Sequence, residues 1–132
     1  MGYRAKSLIR VSAPFAEGKI DEFKLRAASA DKQAEALISL YGIGPASVGY
    51  MMLDVFHCWD FLKHISPWEQ KIYNKIFFGK DWEKELVPVD EMLRYFDKWG
   101  KWKNLAIHYV WEDIWWQRRN KHLPWLEKLI RL

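Results

Sequence analysis

Leu37-Ile38-Ser39-Leu40-Tyr41-Gly42-Ile43-Gly44-Pro45-Ala46-Ser47-Val48 is the stretch on which the reading of this chain turns. Before it, Ala34, Leu37, Ile38 and Tyr41 recur at helical spacing and predict one apolar face. Ser29 opens that helix as an N-cap, with Asp31 in a first turn whose dipole favours negative charge. The pattern breaks at Tyr41-Gly42-Ile43-Gly44-Pro45. It resumes from Pro45, a favoured first-turn residue, as a helix burying Val48, Met51, Met52, Val55 and Phe56. The segment therefore reads as a helix, a glycine-flanked hairpin and a second helix. Its two glycines permit a tight turn and close approach of a ligand. The first amides of the second helix have no intrahelical partner and, with the helix dipole, form an anion site suited to phosphate. Gly42, Ile43, Gly44, Pro45, Ala46 and Ser47 are the candidate contacts. The plainer alternative is a turn that only joins two helices.

Outward from the hairpin the whole chain reads as helices, an all-α helical bundle in one domain over residues 1–132. A first helix covers about Tyr3 to Phe15 and is broken by Gly18; a short piece comes next, from Ile20 to Ala28. Asp60 to Ile65 reads as a loop. Ser66-Pro67-Trp68-Glu69 is a capping box with proline at the first helical position, and its helix runs to Phe78 and stops at Gly79. Further helices span Val89 to Trp99 and Trp102 to Arg119, and a short one begins after Pro124.

Half of the residues are hydrophobic and nine are tryptophan, which excludes a disordered chain and leaves apolar surface over for a partner or ligand. The net charge is +4, from 21 Lys and Arg against 17 Asp and Glu, a mild excess compatible with a polyanionic partner. Cys58 is the single cysteine, so no intramolecular disulfide forms and a reducing, cytoplasmic compartment is expected, nucleoid-associated in a prokaryote. His57, His64, His108 and His122 have no metal-ligand spacing. No apolar run approaches the ~20 residues that span a bilayer, so no membrane partner is expected. In the tail, Trp102, Leu105, Tyr109 and Trp116 share one helical face, while Trp111, Ile114 and Trp115 lie elsewhere, so the helix is apolar nearly all round. Those rings serve core packing or, beside arginines, stack on bases. Arg118, Arg119 and Lys121 read as a surface basic patch that touches phosphate.

Leu40-Tyr41-Gly42-Ile43-Gly44-Pro45 resembles the helix-hairpin-helix of the DNA glycosylase superfamily that includes endonuclease III and the alkyladenine glycosylases. Gly2-Tyr3-Arg4-Ala5 is similar to the start of the helix preceding that unit. The resemblance covers residues 2–78; the aromatic-rich tail, 80–132, matches nothing in it. It implies a helix-hairpin-helix that grips double-stranded DNA by its backbone, without reading base edges. It also implies a sodium or potassium ion held by hairpin carbonyls, here those of Leu40 and Ile43, no other cofactor, and base excision from a flipped nucleotide.

Three departures shape the expected activity. Gap-free counting puts Ser66 where the family keeps its catalytic aspartate, and serine supplies no charge to steady an oxocarbenium ion or activate water. In an enzyme, the neighbouring carboxylates Asp60 or Glu69 would replace the usual aspartate, or Ser66 would position water; the plainer readings are a loop-capping or solvated carboxylate for Asp60 and the capping box for Glu69. Ala46 stands where bifunctional members carry the Schiff-base lysine, so an enzyme would be monofunctional, and the absent four-cysteine cluster points to the alkylation-repair branch. Helices that precede the hairpin unit in the family are missing, which predicts an upstream segment, a homodimer covering the apolar face, or a tail that completes the fold. The expected function is a monofunctional DNA N-glycosylase. The alternatives are a non-catalytic DNA-binding protein or, more remotely, a helical interaction protein whose aromatic tail docks a partner. Ser66→Asp is expected to fold with little penalty, since both residues cap helices, and, with the remaining pocket intact, to raise excision of alkylated bases by ~10²–10⁴-fold. Recovery of abasic sites from alkylated DNA measures it, and no release by either form sinks the enzyme reading.

Overall fold

The structure is a computed structural model that describes residues 3–130. Gly2, the first residue of the segment likened to the pre-hairpin helix, lies outside them. The described residues are all-α: eight α-helices and one 3₁₀ stretch, with no strand among them. The chain forms two compact units, Met1–Phe61 and Leu62–Leu132, and the boundary falls in the loop just after Asp60.

The first unit holds α1 (Tyr3–Ala16), α2 (Glu22–Ala27), α3 (Ala30–Ile38) and α4 (Pro45–Asp54). Gly18 ends the α1 region with φ +68°, a left-handed conformation that glycine adopts without steric cost. Asp21 caps α2: its carboxylate accepts the Phe23 and Lys24 amides at 3.0 and 3.1 Å, and those bonds, Lys24 first, hold the carboxyl below its usual range. The core gathers Leu37, Leu40, Val48, Met52 and Phe61, with Ile20, Ala34, Ile43, Met51 and Phe56 packed around it. Ile38 and Tyr41, expected on the buried face, are instead 43 and 49% exposed. The reason is local. The helix ends at Ile38, and the Leu40 amide bonds the Leu37 carbonyl at 3.1 Å in a tighter turn that swings Leu40 inward. Tyr41 carries the Arg10 guanidinium over its ring at 4.5 Å. On α1, Leu8 and Ile9 remain 72 and 69% exposed.

Gln33 is the buried polar residue of this unit. Its Nε2 donates to the carbonyls of Leu25 and Arg26, both at 3.2 Å, while the Cys58 thiol donates to its Oε1 at 3.6 Å. One side chain thus ties the end of α2, the start of α3 and the segment after α4.

The second unit holds α5 (Pro67–Phe78), α6 (Val89–Phe96), a 3₁₀ stretch (Asp97–Trp102), α7 (Lys103–Asn120) and α8 (Pro124–Glu127). The capping box of α5 forms as the sequence predicts, and Gly79 closes the helix at φ 64°, ψ 10°. Gly100, at φ 51°, supplies the kink inside the 3₁₀ stretch that redirects the chain into α7. Tyr73, Phe96 and Trp111 form the centre of the core. Tyr73 meets the Phe96 ring edge-on at 5.5 Å, and its hydroxyl accepts the Trp111 indole N–H at 2.8 Å, so both buried polar atoms are satisfied. On α7 the buried face is Asn104, Ile107, Trp111 and Ile114. The face that carries Tyr109 and Trp116 is the outward one, at 66 and 53% exposure.

Asn74, fully buried in α5, organises the irregular chain between α5 and α6. Its Nδ2 donates to the carbonyls of Lys80 and Glu85 at 3.2 and 2.9 Å, and its Oδ1 accepts the Val87 amide at 2.8 Å. By contrast, the buried Nδ2 of Asn104 has no hydrogen-bond partner among the described residues. The two asparagines are expected to respond differently to truncation. Asn74→Ala strands the Val87 amide and costs about 1–3 kcal/mol for that group alone, whereas Asn104→Ala, which removes an unpaired donor, costs less. Urea unfolding of both variants measures this, and equal losses would contradict the assigned role of Asn74.

Candidate functional site

The segment between α3 and α4 is built from two backbone devices. The Ile43 amide bonds the Leu40 carbonyl at 3.1 Å, and Gly42 sits at φ +77°, where any other L-residue is strained. Leu40 is buried and Ile43 packs against the same core, so the turn is anchored from below. Gly44 is different. It is the N-cap of α4 with φ −102° and ψ 172°, extended backbone that any residue adopts, and a Cβ there would meet no atom within 4 Å. The turn therefore requires Gly42 alone. What Gly44 contributes is a bare surface. No side chain caps α4, Pro45 begins it, and Pro45 and Ala46 are exposed while Ser47 is half-buried. The Val48 amide bonds the Gly44 carbonyl at 3.0 Å, which starts the helical ladder; the Ala46 and Ser47 amides precede it and have no partner within the helix. The arrangement can accept an anion at the positive end of the α4 dipole.

The three residues considered for catalysis fall in different places. Asp60 is exposed in the first unit, where its charge adds to the burial that pushes the Cys58 thiol up. Ser66 and Glu69 open α5 in the second unit. Both the backbone N–H and the hydroxyl of Ser66 donate to Glu69 Oε2, at 2.7 and 2.6 Å. The carboxylate is thereby committed to the cap, and it lies where a carboxylate at residue 66 would meet it. The expectation that aspartate replaces Ser66 at little cost is corrected on this ground: two like charges would share one small volume.

Arg118 and Arg119 belong to a surface groove of about 700 Å³ on the second unit, which Glu112, Trp115 and Glu127 also line. The Arg118 guanidinium lies 5.5 Å from the Trp115 ring centroid and donates to the Ile130 carbonyl at 3.4 Å. Arg119 Nε donates to the Trp115 carbonyl at 3.4 Å. The basic patch expected here is therefore mixed, with two carboxylates in the same lining. Lys121 stands apart, 5.7 Å from the Trp116 ring. Sequence reasoning overlooked Glu112, although the i, i+3, i+7 spacing of Glu112, Trp115 and Arg119 places them on one helical face. Glu127 comes from the next helix and carried no such signal.

His122 Nδ1 pairs with Glu127 at 2.9 Å, and among the described residues no group of three His, Cys, Asp or Glu side chains is placed to hold a metal ion. No helix among the described residues is long and apolar enough to cross a membrane. Charge is divided unevenly: the first unit has seven Lys and Arg against seven Asp and Glu, so the whole net excess lies in the second. Compared with protein-family models, with curated proteins and with solved structures, the chain matches none.

The geometry at the start of α5 yields a stability test. Ser66→Asp removes a donor and sets a second carboxylate against Glu69, which is expected to cost about 1–2 kcal/mol at neutral pH. Ser66→Asp combined with Glu69→Gln restores a donor–acceptor pair and recovers most of it. Denaturant midpoints measure both, and a single variant as stable as the wild type would contradict the Ser66–Glu69 contact.

Proposed function

We propose that this chain binds duplex DNA by its sugar–phosphate backbone, with Leu40 to Ser47 acting as a helix-hairpin-helix of the kind found in DNA glycosylases. The observation that carries the reading is the uncapped N-terminus of α4, held outward behind the left-handed turn at Gly42. Amides at such a terminus favour a phosphate oxygen, and an exposed proline and alanine leave the approach of a polyanion open. The Leu40 carbonyl accepts one amide and keeps a second lone pair. With the Ile43 carbonyl it would hold the monovalent cation that the resemblance implies, which would offset the charge of the phosphate.

A second reading concerns chemistry on the bound duplex. Base excision needs a carboxylate available to the sugar or to water. Glu69 spends its carboxylate on the Ser66 cap, which favours the non-catalytic form of the protein over the monofunctional glycosylase. The neutral first unit also supplies little long-range attraction of its own, so affinity would rest on the short-range contacts of the turn.

Gly44→Ala is the informative variant, because its backbone conformation admits alanine and its methyl group meets nothing in the protein. It is expected to keep the fold and to weaken binding to duplexes of any sequence by ~1–3 kcal/mol, the range for a lost charge-assisted hydrogen bond. Fluorescence anisotropy with labelled duplexes measures it, and unchanged affinity in the folded variant rejects the proposal. Incubation of the wild type with alkylated duplex in the same series decides the second reading, since release of abasic sites would restore the enzyme.

A further inference from the structure

We infer that the groove lined by Glu112, Trp115, Arg118, Arg119 and Glu127 is a binding site for a guanine nucleotide. The inference is independent of the duplex-binding reading, because every residue it uses lies in the second unit and none in the hairpin. The groove, about 700 Å³, falls within the usual range of small-ligand sites. Its lining sets three requirements on an occupant.

The first is a flat π surface. Trp115 and the guanidinium of Arg118 lie 5.5 Å apart, and Arg118 is steadied by the Ile130 carbonyl. An indole and a guanidinium plane are both surfaces on which bases stack. The second is an anionic group. Arg118 and Arg119 both line the groove, and guanidinium is the side chain best suited to phosphate oxygens. The third is a pair of adjacent donors. Glu112 is an exposed carboxylate in the wall, whereas Glu127 is already paired with His122 at 2.9 Å. An ionised carboxylate only accepts, so the ligand edge that faces it must donate.

Among the nucleobases, guanine alone offers two adjacent N–H donors, N1–H and the N2 amino group, on one edge. That pair matches a single carboxylate in a bidentate manner. Adenine, cytosine and uracil each place an acceptor beside a donor there, and the carboxylate would repel it. A phosphate on the same molecule then meets the arginines. Without a donor edge opposite it, the Glu112 charge works against a phosphate, which disfavours a simple anion as the occupant.

Calorimetric titration of the full chain with 5′-GMP, 5′-AMP and guanosine tests the assignment. GMP is expected to bind about tenfold or more tightly than AMP, the discrimination typical of one bidentate base contact, and more tightly than guanosine. Glu112→Gln should abolish the preference for GMP over AMP, weakening GMP and, with the repulsion lifted, binding AMP no more weakly than the wild type does. Arg119→Ala should bring GMP down toward the guanosine level. Both residues are exposed, so neither variant threatens the fold. Gly44→Ala should leave GMP binding intact, which separates this site from the hairpin. A free nucleotide and the unpaired end of a strand present the same chemistry. Titration with a single-stranded tetranucleotide ending in guanine, against one ending in adenine, assigns the source. Equal affinity for GMP and AMP, no heat with either, or undiminished discrimination in Glu112→Gln overturns the inference.

Discussion

A backbone N–H or C=O that leaves water must find a partner, and in both units of this protein one buried amide side chain meets that demand. Asn74 does so in the second unit, where three hydrogen bonds reach Lys80, Glu85 and Val87 across a stretch that has no helix of its own. Val87 is itself part of the core, so its amide is out of reach of solvent and the Asn74 carbonyl is what allows it to be buried. That contact sets the path from α5 to α6. Gln33 performs the corresponding task in the first unit, accepting from Cys58 and donating to the end of α2. Without these amides, the connections would expose their apolar residues or strand their polar groups.

The aromatic content resolves along the same lines. Rings make up the centre of the second unit because they fill volume and, in Tyr73 and Trp111, satisfy each other's polar ends. Phe77 and Trp99 extend the cluster around Phe96, at 5.0 and 5.4 Å. Trp115 stands at the edge of this mass, half-buried, and is available to a ligand while its neighbour Trp111 is not. Core and candidate ligand site are thus adjacent turns of one helix, distinguished by how deeply each ring is buried.

The proposed phosphate contact at the turn before α4 and the proposed nucleotide groove draw on different chemistry. The first relies on backbone amides and a helix dipole, with almost no side-chain charge. The second relies on guanidinium and carboxylate groups set around a ring. The net positive charge belongs to the unit that carries the groove.

Local sequence was enough to set the helices and their ends. Ser66, Pro67 and Glu69 start α5 and Gly79 stops it, because capping and glycine's access to positive φ act over three or four residues and need no distant contact. The turn at Gly42 was legible for the same reason, although the spacing alone gave Gly44 an equal part that its extended backbone does not require. Which faces are buried was settled by packing. Leu40 replaced Ile38 and Tyr41 once the last turn of α3 tightened, and Asn104, Ile107, Trp111 and Ile114 outcompeted an alternative apolar face of α7. Packing also made interior clamps of Gln33 and Asn74 and brought Glu127 of α8 into one groove with Glu112 and Trp115 of α7. An amide's value lies in the partners that reach it, and a groove exists only between elements brought together by packing. Neither is encoded in a window of neighbouring residues, so neither was there to be read before the chain had folded.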